Sequence, residues 1–542
     1  MRLKTALFFA CCAAIGVACA APAPPPAQQA PSGQVQPRRG GVLHLPVSGT
    51  ETNLNPYLAG GSTIPGTMFE TLVAREVKPG NNWNEDQKLA PWLADRWERL
   101  DPNTYVFSLR KDVTWHDGRA FGAEDVVHSI EYLKGARGLA FSARAGNIAS
   151  SQAVDQQTVR IVTSKPNPDF IRNDILQVRI TQKQMASEGQ NLETTAIATG
   201  PFKIKQFDRG TGWTVVRNDR YWMPDLPYLD GIAGHNIDRS AMLAAMASGK
   251  LDVMNVPDKP QLDTARALVP DSRFEKFYGA NGYGLFFALD APPYNDYRVR
   301  QAVNLGLDRQ DMVVKGAFGD GIVNAPGVAG WVKSLAIPQE ELLKLPGYNP
   351  TTKSQDAAQA KRLLAEAGYS GGLRTRLTFN GDATNARPIA EVTASQLKDL
   401  GIEVTLAPLD RASLAKVEQD ESFEMHILTF GGGRGGLHER LHSQGALNKR
   451  GPYDPELDAL LDKLMAEFDE TETQNLTRRV QRRLYDRAYF LGAIERAIYT
   501  VYQPWVNDML NNYGGFPIPF WAPPITWFDT DLMPEHRRGE KP

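Results

Sequence analysis

Strand-like and helix-like segments alternate along the chain from Gly41 onward, and this alternation limits the fold more than any other feature of the sequence. The runs VLHLPV (42–47), TYVFSL (104–109) and TVRIVT (158–163) are apolar or alternating and rich in β-branched residues, which is typical of strands. Segments of helical character follow, and they are Ala123–Leu133, Ser240–Ser248, Asp296–Leu307 and Ala357–Ala367. Strands that alternate with helices predict an α/β fold.

One helix is specified in unusual detail by its sequence, DPELDALLDKLMAEF at Asp454–Phe468. Asp454 stands where an N-cap is needed, and Pro455 occupies the first turn, where its missing N–H costs nothing. The apolar positions recur at helical spacing, so that one face carries Leu457, Leu460, Leu461 and Leu464. We therefore predict an amphipathic helix that packs on a core.

The chain of 542 residues is longer than a single hydrophobic core supports, since cores stop growing at ~250–300 residues. Two or three domains are expected. The net charge of −2 gives no electrostatic reason to expect nucleic acid or an anionic membrane surface as the main partner.

The first twenty residues have the pattern of an export signal. Arg2 and Lys4 precede the apolar run Thr5–Ala18, which is shorter than the ~20 residues that span a bilayer but suits a signal peptide. No later segment is a long uncharged apolar run. We predict a signal peptide at 1–20 and an exported, soluble mature protein.

The cysteines, which are Cys11, Cys12 and Cys19, all fall within this signal. The mature domain therefore has no disulfides. Residues 16–19, Gly-Val-Ala-Cys, resemble a bacterial lipobox and predict lipidation of Cys19, although Gly16 departs from the usual aliphatic residue. Ordinary cleavage after Ala20 is the alternative. Residues 21–40 are rich in Pro, Ala and Gln and predict a disordered spacer, which with a lipid anchor would hold the protein near a membrane.

The stretch GGGRGGLHERLHSQ (431–444) contains two overlapping signatures. Gly431, Gly433 and Gly436 fit the dinucleotide-binding pattern G-x-G-x-x-G. That pattern has to begin a helix that leads to a second strand ending in an acidic residue. Gly445 interrupts such a helix, and Asp454, the acid at about the required distance, follows the turn-like residues KRGPY. The sequence therefore argues against a dinucleotide site.

The second signature is H-E-x-x-H, formed by His438, Glu439 and His442. Histidines at i and i+4 share a helix face, and the glutamate is a possible general base, so a secreted zinc-dependent hydrolase is the enzyme alternative. Arg440 stands inside the motif, however, and glycines surround it. This context favours a short polar helix, and we predict neither catalysis nor a resident metal or cofactor.

Several stretches resemble one family in their order along the chain. The strongest is Leu89–Val127, with LAPW, FSLR, WHDG and AEDV in sequence. Further matches are ATGPFKIKQF (198–207), NDRYW (218–222), YLDGI (228–232), MASGKLDV (246–253), RVRQAVNLGLDRQDMV (298–313), AQAKRLLAEAGY (358–369) and LGIEV (400–404). Together they resemble the family 5 extracellular solute-binding proteins of ABC importers, the oligopeptide, dipeptide and nickel group.

The resemblance implies a two-lobed periplasmic-binding-protein type II fold with an extra domain inserted in the first lobe. On this sequence it places lobe one at 41–85, 199–286 and 500–542, the inserted domain at 86–198 and lobe two at 287–499. It also implies a function. Such a protein binds a peptide or similar small solute in the interlobe cleft, as a monomer in the periplasm or at the outer face of the cytoplasmic membrane, and delivers it to an ABC permease and its ATPase.

In peptide-binding members of that family, the stretch corresponding to Thr429–Leu437 carries an aspartate that pairs with the ligand's amino group. Here this stretch has no acid and offers Gly432, Gly433 and Arg434 instead. Glycines allow a ligand to approach the backbone, and arginine binds carboxylate or phosphate in a bidentate manner. A sugar-like, opine-like or anionic ligand is therefore an alternative to a peptide, unless Arg434 is simply a solvated loop residue.

Large aromatic side chains near the predicted lobe crossovers supply the remaining ligand candidates, because aromatic rings stack on ligands as well as fill cores. These candidates are Tyr283, Phe286, Trp331 and Trp505. A turn-rich loop at the edge of the first lobe adds Thr63.

Overall fold

The computed structural model describes residues 36–47, 53–58, 64–76, 88–135, 142–278, 282–382, 386–420, 422–430, 433–448, 450–509 and 525–542. Several predictions concern residues outside these ranges. They are the signal peptide (1–20) with Cys19, most of the spacer (21–40), and the ligand candidates Thr63 and Gly432.

The strands in chain order are β1 (Val42–Val47), β2 (Val73–Arg75), β3 (Leu89–Pro91), β4 (Ala94–Arg99), β5 (Thr104–Leu109), β6 (Ile148–Asp155), β7 (Thr158–Thr163), β8 (Phe202–Asp208), β9 (Gly212–Arg217), β10 (Gly231–Asn236), β11 (Val253–Val256), β12 (Arg273–Tyr278), β13 (Gly282–Phe287), β14 (Gly321–Val323), β15 (Leu373–Asn380), β16 (Ile402–Leu409), β17 (Met425–Phe430), β18 (Phe490–Gly492), β19 (Ile494–Tyr502), β20 (Val506–Asn507) and β21 (Trp527–Phe528).

The helices are α1 (Ile64–Met68), α2 (Ala123–Gly135), α3 (Ser142–Ala145), α4 (Lys183–Ser187), α5 (Arg239–Ala247), α6 (Lys259–Leu268), α7 (Tyr297–Gly306), α8 (Arg309–Gly316), α9 (Gln339–Leu342), α10 (Lys353–Glu366), α11 (Ala386–Lys398), α12 (Arg411–Asp420), α13 (Arg434–Leu441), α14 (Pro455–Ala466) and α15 (Glu470–Arg487). None of these has the length and apolar character that crossing a membrane requires.

Two sheets contain segments predicted for lobe one, and the second also takes in the part of β19 that precedes residue 500. The first has the order β1-β10-β9-β8, and its first pair is parallel. Leu43 and Leu45 of β1 pack with Trp213 and Val215 of β9 in its core. The second has the order β11-β19-β12.

The largest core lies around a five-stranded mixed sheet with the order β16-β15-β17-β13-β18. Helices α7, α10 and α11 contribute buried residues to this core, which belongs to the predicted lobe two. Strand β13, which the sequence analysis placed at the end of lobe one, pairs with β17 and β18 inside this sheet.

A separate antiparallel sheet, β4-β5-β7-β6, forms within the range predicted for the inserted domain. Helix α2 packs on it through Val126, Ile130 and Leu133, and these side chains share one core with Phe107 and Ile161. The exact domain boundaries stay a prediction.

Strand β19 connects the two larger parts of the molecule. Its first residues, 494–496, pair with β14 of the predicted lobe two, and residues 497–502 pair with β12 of the predicted lobe one. This strand therefore places its own side chains where the two lobes meet.

The α/β prediction is confirmed. Strands 42–47, 104–109 and 158–163 have the predicted bounds. Helix α14 begins as predicted, since the Asp454 carboxylate accepts hydrogen bonds from the N–H groups of Glu456 and Leu457, and its four leucines are buried.

Candidate functional site

A cavity of about 200 Å³, called here the aromatic cavity, lies where β13, β17 and β18 meet the start of α13. Its lining residues are Phe286, Gly327, Thr429, Phe430, Gly433, Gly436, Leu437, Arg440, Leu441 and Phe490. Phe490 is central: its ring centroid is 4.2 Å from that of Phe286 and 4.8 Å from that of Phe430. The cavity thus presents a mainly apolar, aromatic surface to a solute.

Two of the predicted ligand residues, Phe286 and Gly433, meet in the aromatic cavity. Gly433 caps the N-terminus of α13, and a Cβ atom added there would meet nothing within 4 Å. Helix α13 is held in place by Leu437 and Leu441, which are buried against leucines of α14 and α15. The glycine-rich end of α13 therefore leaves open space beside the aromatic rings.

Arg440 also lines the aromatic cavity. Its guanidinium makes no ion pair or hydrogen bond with any residue in the part of the chain that the structure covers. Sequence reasoning used Arg440 only as an argument against zinc, and thereby missed a cation at the cavity.

Arg434 points into a different environment. Its Nε lies 3.0 Å from Oδ2 of Asp169, and its Nη1 donates to the carbonyl oxygens of Leu464 (2.9 Å) and Glu467 (2.6 Å). The side chains of Arg434 and Asp169 are only 13% and 17% exposed. Nearby, the guanidinium of Arg99 stacks 3.8 Å from the ring centroid of Phe468.

These two contacts join the predicted inserted domain, which supplies Arg99 and Asp169, to the predicted lobe two. Arg434 therefore already has a carboxylate partner from this chain. That it also binds an anionic ligand stays a prediction. The sequence held no signal for Asp169 as its partner, because the two residues are far apart in the chain.

A second cavity of about 420 Å³, called here the Trp331 cavity, contains the third predicted residue. Its lining residues are Tyr278, Ile322, Gly330, Trp331, Lys333, Ala336, Ile337, Pro338, Gln339 and Glu340. Tyr278 ends β12, whereas the others belong to β14 and the segment after it. Both predicted lobes therefore contribute to this cavity.

The remaining aromatic candidates line neither cavity. Tyr283 lies on β13, and burial raises the pKa of its phenol to about 12. Trp505 is buried in a core of the predicted lobe one, where its Nε1 donates to Oδ1 of Asp252 at 2.9 Å. The structure thus brings Phe286 and Gly433 together, puts Trp331 in the other cavity, and uses Trp505 to fill a core.

His438 and His442 form a compact group with Asp462. The two imidazole rings stack with centroids 4.4 Å apart, and their Nε2 atoms lie 3.6 and 3.4 Å from Oδ1 of Asp462. Such a group of donors resembles a metal site in composition.

The hydrogen bonds of His442 argue against a metal at this group. Its Nδ1 accepts the backbone N–H of Gln444 at 3.0 Å, so the neutral ring carries its proton on Nε2. That Nε2 lies 3.4 Å from Oδ1 of Asp462, and because it carries the proton it has no lone pair for a metal. Glu439, the base of the zinc hypothesis, is exposed. The donor set does not fit a zinc centre.

A residue that sequence reasoning missed is Glu495 of β19, which is 2% exposed. The available signal was the run FLGAIERAIYTVY (490–502), where two adjacent charges interrupt an apolar strand.

Comparison with known proteins identifies the chain's relatives. The family model for bacterial extracellular solute-binding proteins, family 5 Middle, matches residues 88–445. The dipeptide-binding protein of Escherichia coli K12 is 26% identical over 505 residues, which cover 84% of this chain and 89% of that protein. The nickel-binding periplasmic protein of the same organism is 24% identical over 504 residues, with the same coverages.

Among solved structures, NikA from Brucella suis in complex with Fe(III)-EDTA resembles this chain with a TM-score of 0.73 and 23% identity. The match covers 89% of this chain and 99% of that one. At this identity the likeness concerns the fold, and it confirms the predicted two-lobed type II architecture.

Proposed function

Because the chain belongs to family 5 of the bacterial extracellular solute-binding proteins, we propose that it captures a peptide or similar small solute between its lobes and delivers it to the permease and ATPase of an ABC importer. Family membership confirms the resemblance found in the sequence, and it makes the protein a binding protein and not an enzyme. The zinc hydrolase hypothesis is therefore set aside.

The observation that carries the peptide proposal is the Trp331 cavity. Its lining combines Tyr278, from the sheet of lobe one, with Trp331 and Gln339 from lobe two. A solute held by both sides stabilises the arrangement in which they meet, which is how a ligand drives lobe closure. The dipeptide-binding relative makes a peptide the first class to test.

The test measures peptide binding by calorimetry after a pooled library of dipeptides and tripeptides has been screened by native mass spectrometry. We expect the wild type to retain members of the pool, and Trp331→Ala to weaken the best of them by about 10-fold or more, since a buried aromatic contact contributes ~1.5 kcal/mol or more. Phe274→Ala is the matched control, because this exposed aromatic residue of β12 lines neither cavity. A wild-type protein that retains no peptide would contradict the proposal.

We further propose that Cys19 is lipidated and that residues 21–40 tether the protein at the outer face of the cytoplasmic membrane. The lipobox-like sequence and the spacer composition support this. Intact-mass measurement of the mature protein tests it: a diacylglyceryl mass at Cys19, lost in Cys19→Ala, is expected. A mature chain that begins at Ala21 without lipid would rule it out. We expect the released protein to be a monomer.

A further inference from the structure

Glu495 on β19 is a buried carboxylate without a partner. It is 2% exposed, and neither of its oxygens has a hydrogen-bond partner among the described residues. Burying an acid without compensation is costly, so nearly all such groups in proteins are hydrogen-bonded. This side chain therefore needs an explanation that the fold alone does not give.

The same chain shows how it satisfies a buried acid that is structural. Glu70 is also buried, but its oxygens accept hydrogen bonds from Trp92 Nε1 (2.9 Å), Thr199 Oγ1 (2.8 Å), Tyr221 Oη (2.7 Å) and Trp222 Nε1 (3.2 Å). The contrast shows that the described residues do not satisfy Glu495 as they satisfy Glu70, which leaves room for a bound solute as its partner.

The strand register shows which surface Glu495 faces. Glu495 is directly opposite Ile322 of β14, and Ala497, two residues further along β19, is directly opposite Tyr278 of β12. Directly paired residues, and residues two apart on one strand, share a face of the sheet. Glu495 thus lies on the face that carries Ile322 and Tyr278, and both of these line the Trp331 cavity and pack against the cluster around Trp331.

The neighbouring charge does not neutralise Glu495. Arg496 is the next residue on β19 and so points to the other face. There its Nη2 lies 3.6 Å from Oδ2 of Asp258, and its guanidinium stacks 5.0 Å from the ring centroid of Phe318. The Glu495 carboxylate, on the face shared with Ile322 and Tyr278, therefore has no ion-pair partner among the described residues.

We propose that Glu495 binds the protonated amino group of the solute in the Trp331 cavity, so that the ligand class is a peptide or other solute with a free primary amine. This rests on the proposed function and specifies its ligand. An ammonium group is suited to the site because it brings several N–H donors to two carboxylate oxygens that lack them.

The test uses two probes, a pool of unmodified dipeptides and tripeptides and the same pool acetylated at its amino termini. Wild type, Glu495→Gln and the control Glu341→Gln are compared by native mass spectrometry, with calorimetry on the best-retained peptide and its acetylated form. Glu341 is a suitable control because it is an exposed glutamate that bridges to Arg482 and lines neither cavity.

We expect the wild type to prefer the free-amine peptide by about 30-fold, since a charge-assisted hydrogen bond of this kind contributes ~2 kcal/mol. Glu495→Gln should lose that preference, while Glu341→Gln keeps it. Glu495→Asp, which retains the charge, should keep part of it.

The outcomes separate the two proposals. A wild type that binds both pools equally, or a Glu495→Gln variant that keeps the full preference, refutes the role of Glu495 and leaves peptide binding intact. A wild type that retains neither pool refutes the proposed function itself. Thermal melts of each variant show that a lost preference does not come from unfolding.

Discussion

Separating Arg434 from Asp169 should weaken solute binding without any change in the cavities. The two side chains connect the predicted inserted domain to the predicted lobe two, and neither of them lines the aromatic cavity or the Trp331 cavity. If a solute favours the arrangement in which these parts touch, then the contact contributes to solute affinity through closure. The perturbation consists of Arg434→Ala, Asp169→Ala and the double variant.

The magnitude follows from the geometry. Nε of Arg434 and Oδ2 of Asp169 form a close ion pair at 3.0 Å, and breaking such a pair costs ~3–5 kcal/mol when it is fully buried. Both side chains retain some exposure, so we discount this to a coupling of ~1–2 kcal/mol. The hydrogen bonds from Arg434 to the Leu464 and Glu467 carbonyls stay within the predicted lobe two and cancel in the double-mutant cycle.

The assay is calorimetric affinity for the best peptide, measured for all four proteins. Each single variant should bind about 5–30-fold more weakly, and the double variant should be little worse than either single one. Additive losses would show that the two residues act separately. If Arg434→Ala lowers the affinity by the same factor in the Asp169→Ala background as in the wild type, Arg434 contacts the ligand itself. That result would restore the anion-binding hypothesis from the sequence.

Three further predictions concern stability. In the solute-free protein, burial raises the pKa of Glu495, so the folded state keeps a proton that the unfolded chain releases above pH ~4.3, and the titratable groups near it are Tyr278 and Tyr283. Glu495→Gln should therefore gain stability over wild type as the pH rises from 4.5 to 7.5, and parallel melting curves would contradict this. Burial lowers the pKa of His116 to about 4, and its Nε2 donates to the Gly200 carbonyl. As the pH falls from 6.5 to 4, the unfolded chain binds a proton at this residue that the folded protein does not, so the wild type should lose stability. His116→Gln should flatten that part of the plot of melting temperature against pH, and an unchanged slope would contradict the prediction. Gly284→Ala places a Cβ 2.1 Å from Phe490 Cζ and should lower the free energy of unfolding by ~2 kcal/mol or more, measured by thermal melting. Gly433→Ala is the control, because a Cβ there meets no atom within 4 Å. Equal losses of stability in the two variants would refute the packing around Phe490.

The parts of the fold that the sequence predicted are those with local causes. Helix α14 follows from the Asp454 cap and the leucine spacing, and β5 and β7 follow from short apolar runs. The cavities have no such local cause. Phe286 and Phe490 face each other only because β13 and β18 pair in one register, and that register depends on the whole sheet. The Asp169–Arg434 contact, between distant segments, left no pattern in the sequence at all.

The structure changes the charge expected of the solute, because it shows which partners Arg434, Arg440 and Glu495 have. The sequence analysis inferred an anionic group from the missing acid at 429–437 and from Arg434, but Arg434 already faces the carboxylate of Asp169. Arg440 at the aromatic cavity has no partner among the described residues, and neither has Glu495 on the sheet face that carries Ile322 and Tyr278. A short peptide would supply an amino group to Glu495, whereas a purely anionic solute would leave that buried acid without a hydrogen-bond donor.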